Sequence, residues 1–373
     1  MIVNQYISEG KILEALDASK EYKYLNELLM KIVKSNNQEI VKINEQRSTP
    51  VVLKHDPVVI VEENEENEEN EENYIIVHLS CSWLPSKELC DLWNKMSKNG
   101  DYSWDNIKIV WDNSQPIDYW CIINKPLDEN LVFDRKKTIV FQMEPNMHID
   151  KRQWGEWSVL NKDSFLYIGS HDIYLNNTEW HLNMTYQQLM SEKIVKDENL
   201  SNVLSTILSD KYRDIGQIKR IDFAKFIESK GIKLHVYGNG SDKFLFKEHK
   251  GGLPYHNKNS GILPYKYTFN VENSSIKNYL TEKLIDGILA ESLVFYSGCF
   301  NAKEFFPNGD KAFVYLSLIN FEKDYEIVKS AIENNLWEER LPYIKEAKQH
   351  ILNNMQFFPR IEKIINEDLN KYL

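Results

Sequence analysis

The sequence predicts an α/β fold built from two successive sets of parallel strands, preceded by a helical segment and closed by a helical tail. Between Tyr74 and Ile168 short apolar runs follow one another without polar alternation, the pattern of strands buried on both faces. From Val203 a second series alternates such runs with amphipathic stretches and glycine-containing turns. At 373 residues the chain has room for about two domains of ~100–200 residues each and an appendage.

Each element has its own signal. Residues 1 to about 46 place Ile12, Leu13, Leu16, Leu25, Leu28, Leu29, Ile32 and Val33 at helical spacing, which predicts a helical appendage over 1–60 and a surface for self-association or a partner within 1–46. The triplet Glu-Glu-Asn then occurs four times between Glu62 and Asn73; so charged a tract buries no apolar surface and reads as a solvated linker over 61–73. A first Rossmann-like domain, 74–195, takes its strands from Tyr74–Leu79, Ile107–Trp111, Tyr119–Ile123, Thr138–Met143 and Phe165–Ile168, with a helix from Pro85 to Met96 and another around Leu182 to Ile194. A second, 196–345, takes Val203–Leu208, Lys233–Tyr237, Tyr265–Val271, Leu293–Tyr296 and Ala312–Leu316, with helices from Gly216 to Lys230 and from Tyr279 to Ala290. Helices from about Asp324 to Asn354 and Phe358 to Leu369 end the chain, with 346–373 as the tail. Two Rossmann-like domains facing a cleft is the GT-B arrangement.

Charge and cysteine usage exclude several classes. The formal net charge is −11, which argues against nucleic acid as a partner. The eight glutamates of the linker account for most of it, since −11 plus 8 leaves −3. Cys81, Cys90, Cys121 and Cys299 form no C-x-x-C pair and no disulfide framework, and no run of ~18 apolar residues spans a membrane, so a cytoplasmic protein is expected. His148, His171 and His181 match no metal-ligand template and read as surface or cleft histidines.

The richest stretch for chemistry runs from Tyr265 to Gly298. A strand ends at Val271, and the polar loop Glu272-Asn273-Ser274-Ser275 leads to a helix whose apolar face carries Leu280, Leu284, Ile285, Ile288 and Leu289. Tyr279, Glu282, Lys283 and Asp286 share the opposite arc. Free N–H groups and the helix dipole favour phosphate there, Lys283 adds a cation for a diphosphate, and Glu282 can accept from sugar hydroxyls. Spacing alone fits an amphipathic helix with a wet polar face equally well.

In its literal residues the stretch resembles the donor-binding motif of the α-1,3/1,4-fucosyltransferases, glycosyltransferase family ten. Tyr265-Lys266-Tyr267, Glu272-Asn273-Ser274 and Tyr279-Leu280-Thr281-Glu282-Lys283 stand in the family's order and spacing, followed by an apolar strand ending at Gly298. Val203 to Ile227, with Ser209, Arg220 and Phe223, is similar to the segment that presents a donor-binding arginine. Lys233 to Gly238 resembles the family's next strand and turn, although His235 stands where an acidic residue is usual. Lys137 to Asn146 is similar to the strand that ends in the catalytic glutamate and a proline, here Glu144-Pro145, while the following Asn-Phe is not reproduced.

The resemblance implies an inverting transfer of fucose from GDP-fucose, or of a sugar from a related nucleotide sugar, to a hydroxyl of an acceptor glycan. Glu144 would be the base. Arg220 and Lys283 would stabilise the leaving diphosphate, Asn273 and Tyr279 would position nucleotide or phosphate, and Glu282 would bind the sugar ring. Lys266 is either a donor or acceptor contact or a solvated strand-end lysine. No D-x-D pair, phosphate loop or G-x-S-x-G elbow occurs, so no metal and no cofactor beyond the donor substrate is expected. Two alternatives stay open: the same fold with a different nucleotide-sugar donor, and an inactive glycan- or nucleotide-binding module.

Overall fold

A computed structural model describes residues 74–145, 154–171 and 179–371. The helical appendage expected over 1–60, the acidic linker over 61–73 and His148 lie outside the described residues.

The first sheet contains β1 (Ile75–Cys81), β2 (Ser103–Trp104), β3 (Ile107–Val110), β4 (Tyr119–Ile123), β5 (Thr138–Gln142) and β6 (Tyr167–Ser170) in the order β2-β3-β1-β4-β5-β6. All neighbours are parallel except β2, a two-residue strand antiparallel to β3 that the sequence did not reveal. The second sheet contains β7 (Leu204–Ile207), β8 (Leu234–Tyr237), β9 (Tyr267–Val271), β10 (Leu293–Ser297) and β11 (Phe313–Tyr315), all parallel, in the order β11-β10-β9-β7-β8. Its strands end within one or two residues of the expected bounds, because buried parallel strands cannot alternate with polar residues without stranding those residues in the core.

Both sheets follow one winding rule. With β2 set aside, each lays its first strand beside its second on one side and its third on the other, so the crossovers change direction between β1 and β4 and between β7 and β9. Helices departing to opposite faces at such a point leave a crevice at the carboxyl ends of the strands, where open α/β sheets bind their ligands. The crevices are bounded by Cys81 and Asn124 in the first sheet and by Ser209 and Glu272 in the second.

The helices are α1 (Ser86–Trp93), α2 (Tyr186–Ser191), α3 (Ile215–Ser229), α4 (Asn259–Ile262), α5 (Glu282–Leu289), α6 (Phe321–Glu333), α7 (Leu336–His350) and α8 (Phe357–Leu369). A capping box starts α3, with Gln217 accepting the Asp214 N–H at 3.3 Å and donating to its carboxylate at 2.7 Å. The expected helix around 182–194 shrinks to the six residues of α2, started by a second capping box at Thr185 and Gln188.

The tail does not extend away from the body. After a π-turn at Ile351–Met355, α8 docks on the first sheet: Phe357 packs on Trp93 at 4.8 Å between ring centroids, and Asp368 accepts from Tyr119 at 3.1 Å and Lys137 at 3.0 Å. Phe357, Phe358, Ile361 and Ile365 are fully buried, each worth ~1.5–3 kcal/mol relative to exposure, so this last helix fastens the C-terminal segment to the N-terminal sheet. All four cysteines are buried and unpaired. No helix among the described residues is long and apolar enough to cross a membrane.

Candidate functional site

A cavity of ≈ 250 Å³ lies where the two crevices meet. The first sheet contributes Trp83, Asn124, Met143 and Glu144; the second contributes Asn273, Tyr279, Thr281, Glu282 and Lys283; Glu179 comes from the segment between them. Five residues singled out in the sequence, Glu144, Asn273, Tyr279, Glu282 and Lys283, therefore line one space.

Glu144 reaches it as the second residue beyond β5. Asn124, the first residue past β4, turns the chain with a φ of 63°, in the left-handed region that asparagine tolerates better than most residues. Its side-chain oxygen accepts the backbone N–H of Met143 at 2.7 Å and of Glu144 at 3.3 Å, which fixes where the Glu144 side chain starts. That side chain is exposed to the cleft, although protein atoms stand close around its carboxyl. Crowding there pushes its carboxyl up, Lys283 opposing the rise and Glu282 adding to it.

The opposite wall is organised by a residue with no contact to solvent. Glu272, 1% exposed, accepts the Thr281 N–H at 2.9 Å, the Thr281 hydroxyl at 2.6 Å and the Tyr296 hydroxyl at 3.1 Å, and lies 3.6 Å from Lys283 Nζ. Thr281 is in turn the N-cap of α5 and accepts the Lys283 N–H at 3.4 Å. Glu272 thereby sets the start of α5, and with it the position of Glu282 and Lys283.

From Glu272 the charges alternate in sign. Lys283 pairs with Glu282 at 3.0 Å; Lys258 lies 3.4 Å from Glu282 and 2.7 Å from Asp286. Burial alone would drive the Glu272 and Glu282 carboxylates toward the neutral form, and pairing decides otherwise for Glu282. Glu282 is pushed up by burial, yet Lys283, Lys258 and His181 together pull it well below the ordinary carboxylate range. Glu272 stays raised because burial outweighs Lys283. Burial disfavours the Lys283 ammonium, and Glu282 and Glu272 more than reverse that. With bonds to Thr281 Oγ1 at 3.2 Å and Glu282, Lys283 retains one N–H for a ligand.

Arg220 stands behind this wall rather than on it. Its guanidinium is 6% exposed, donates to Ser209 Oγ at 2.8 Å and Asn273 Oδ1 at 3.4 Å, and leaves Nε without a partner. It ties the two carboxyl ends of β7 and β9 together at the switch point. Gly216, in the first turn of α3, makes that approach tight: a Cβ there would stand 2.1 Å from the Glu272 carbonyl oxygen and 2.5 Å from that of Asn273.

Two expectations need correction. The helix begins at Glu282, not Tyr279, and Asp286 of its polar arc is fully buried, accepting the His181 N–H at 2.7 Å besides pairing with Lys258. Tyr279 precedes the helix, 4% exposed, where burial raises its phenol well above the ordinary value, as do Glu272, Glu144 and Glu282. Lys266 is not a donor or acceptor contact of this cavity and not a solvated lysine either. It lies at the amino end of β9, the end remote from the cleft, 5% exposed, paired with Glu198 at 3.2 Å and Glu338 at 3.6 Å over the Trp337 ring.

Sequence reasoning overlooked Trp83, Asn124, Gly216, Thr281 and Glu179. Asn124 followed directly after an apolar run, the same signal that singled out Glu144, and was available to be read. Of the histidines, His171 is buried as a bridge between the halves, with Nε2 at 2.7 Å from Met143 O and Nδ1 at 3.1 Å from Asn278 O, while Asn278 Nδ2 donates back to His171 O at 2.9 Å. His181 packs on His256 beside Glu179, ring centroids 4.0 Å apart.

No family model and no curated protein matches the sequence. Solved structures do align with the chain. An α-1,3-fucosyltransferase with GDP matches at 15% identity over 82% of this chain and 94% of its own, with a TM-score of 0.46. An α-1,3-fucosyltransferase with GDP-fucose matches at 12% identity over 79% and 95%, with a TM-score of 0.41. An α-glucosyltransferase in complex with UDP and a 13-mer DNA containing a HMU base matches at 13% identity over 78% and 98%, with a TM-score of 0.50. At such identity the last likeness concerns the fold alone, and together with the two facing sheets it makes the architecture GT-B.

Proposed function

We propose that this chain is a glycosyltransferase that moves a sugar, fucose from GDP-fucose in the first instance, from a nucleotide sugar to a hydroxyl of an acceptor glycan. One observation carries the reading: a carboxylate at the carboxyl end of a strand in one sheet shares a cavity with the N-terminus of α5 and its lysine in the other. A transfer reaction needs both, a base for the attacking hydroxyl and a cationic, dipolar seat for the departing diphosphate.

In this reading Glu144 takes the proton of the acceptor hydroxyl as that oxygen attacks the anomeric carbon, in one inverting displacement. A carboxyl held above its ordinary value is better matched to that task than an unperturbed one. Lys283 gives its remaining N–H to the diphosphate, and the dipole at the start of α5 adds positive potential there. Asn273 and Tyr279 position the nucleotide or its phosphates, and Glu282, kept ionised by its two lysines, accepts from the sugar hydroxyls. Arg220 acts through Asn273, holding the loop from behind while adding positive potential to the diphosphate seat.

The test is a panel of nucleotide sugars assayed for nucleotide release with wild-type protein and Glu144→Gln. Turnover with GDP-fucose that the variant loses while still binding GDP supports the reading. Turnover with a UDP-sugar but not GDP-fucose removes the fucosyl assignment, and unchanged turnover in the variant removes the base.

A further inference from the structure

Beside the cavity, three side chains from two segments meet without a role in the transfer described above. Glu179 and His181 lie two residues apart after β6, and His256 comes from the loop before α4. One ligand atom from each lies within 4.8 Å of the others. We propose that Glu179, His181 and His256 form a binding site for a divalent cation of the zinc class, with a fourth coordination position toward the cavity.

Two neutral imidazoles and one carboxylate make a set that zinc accepts with one position left open. One separation of the three already matches what the ion requires. Bonds of ~2.0–2.2 Å at tetrahedral angles place neighbouring ligand atoms about 3.3–3.6 Å apart. His181 Nε2 and Glu179 Oε1 are paired at 3.2 Å, and the His256 ligand atom lies within 4.8 Å of both, so it alone has to move inward.

A second observation is independent of the clustering. His256 Nδ1 is shielded from solvent and has no hydrogen-bond partner among the described residues, while His181 Nε2, equally shielded, meets only the Glu179 carboxylate. A buried ring nitrogen left like that of His256 costs free energy unless something accepts or supplies a bond there, and a cation held between the two rings and the carboxylate supplies it.

Support from the surrounding residues is present too. The other Glu179 oxygen, Oε2, accepts from the indole N–H of the fully buried Trp93 at 3.1 Å, which leaves Oε1 directed at the histidines. The backbone N–H of His181 is fixed on Asp286 Oδ1 at 2.7 Å, and its carbonyl accepts the Lys258 N–H at 2.9 Å. Two lysines stand near enough to compete with a cation, and each is committed elsewhere. Lys95 Nζ donates to Leu182 O at 3.0 Å and Lys258 Nζ pairs with Asp286. Since Glu179 also lines the cavity, the open position faces the space where an oxygen ligand enters.

The proposal does not rest on the glycosyltransferase reading, and its test involves no turnover. Untagged full-length protein, stripped with chelator and dialysed, is titrated with Zn²⁺ against a chromophoric competitor, and with Co²⁺ for its visible spectrum. Uptake of one ion per chain, with Co²⁺ bands of a four- or five-coordinate nitrogen–oxygen site, is the expected result. Glu179→Gln, which preserves shape, should weaken Zn²⁺ at least about tenfold, and His181→Ala and His256→Ala should weaken it further. Absence of saturable uptake by the wild-type chain overturns the proposal, as does uptake that Glu179→Gln and both histidine variants leave unchanged.

Discussion

The side-chain oxygen of Asn124 holds the backbone N–H of Glu144 at 3.3 Å, so the residue that follows β4 positions the carboxylate that follows β5. The geometry makes Asn124 a positioning residue for Glu144. Asn124→Gly keeps the left-handed backbone and removes the acceptor together with a 3.4 Å bond from Nδ2 to Ser82 Oγ; it should lower kcat with little change in donor affinity. Asn124→Asp restores the acceptor oxygen but adds a negative charge, and should recover rate while moving the pH profile upward. Equal kcat in wild type and Asn124→Gly would show that the hydrogen bond does not matter for turnover.

The pH dependence follows from the Glu144 environment. Crowding raises its carboxyl above the ordinary glutamate value of ~4.3, and only the ionised form can accept a proton. The rate should therefore fall on the acid side through an apparent pKa higher than that of a free glutamate, and Glu144→Gln should abolish this limb together with ~10²–10⁴-fold of kcat. A profile flat down to pH 4 would remove Glu144 from the proton transfer.

On the proposed function Lys283 serves both stability and binding, and the two separate experimentally. Lys283→Ala leaves Glu272 fully buried without its cation, a change of the type that costs ~3–5 kcal/mol. Lys283→Ala combined with Glu272→Gln relieves that charge and should recover much of the stability while GDP binding stays weak. Chemical denaturation beside calorimetry distinguishes the two; restored GDP affinity in the double variant would place the phosphate seat elsewhere.

Lys266 provides the contrast. It stands at the far end of β9 and pairs with Glu198 and Glu338, so Lys266→Met should leave donor affinity within about twofold of wild type while reducing stability by about 1–3 kcal/mol. A tenfold loss of GDP affinity in a folded Lys266→Met protein would contradict this placement.

Gly216 supplies a steric test of the same wall. An alanine methyl there collides with the carbonyls of Glu272 and Asn273, and overpacking of this kind costs ~1–3 kcal/mol. Relief requires the Asn273 loop to retreat, so Gly216→Ala should weaken GDP more than any surface alanine. A structure of the variant with the loop unmoved would refute the argument.

The parallel strands of both sheets were legible because burial on two faces forces continuous apolar runs, and the signal is local; the two-residue β2 is too short to carry it. What escaped was non-local. Whether Lys266 faces a ligand depends on which end of β9 it occupies relative to the cleft, and its partners Glu198 and Glu338 lie 68 and 72 residues away in sequence. The polar arc of α5 could be read from spacing as a wet face or a ligand-facing one, because periodicity reports polarity, not what covers it; Lys258 and the His181 N–H cover Asp286. The group of Glu179, His181 and His256 spans 75 residues between its second and third members, so no spacing template finds it. Glu272 was visible as part of a motif, but its part in fixing the start of α5 emerged only with Thr281 and Tyr296 in place.

The central claim is that the cavity between the two sheets seats a nucleotide sugar. Calorimetric titration of the wild-type chain with GDP, GDP-fucose and a set of UDP-sugars tests it most directly. The account predicts saturable binding of GDP and GDP-fucose at one site per chain, weakened in Lys283→Ala paired with Glu272→Gln; no saturable heat with any nucleotide in the panel would contradict it.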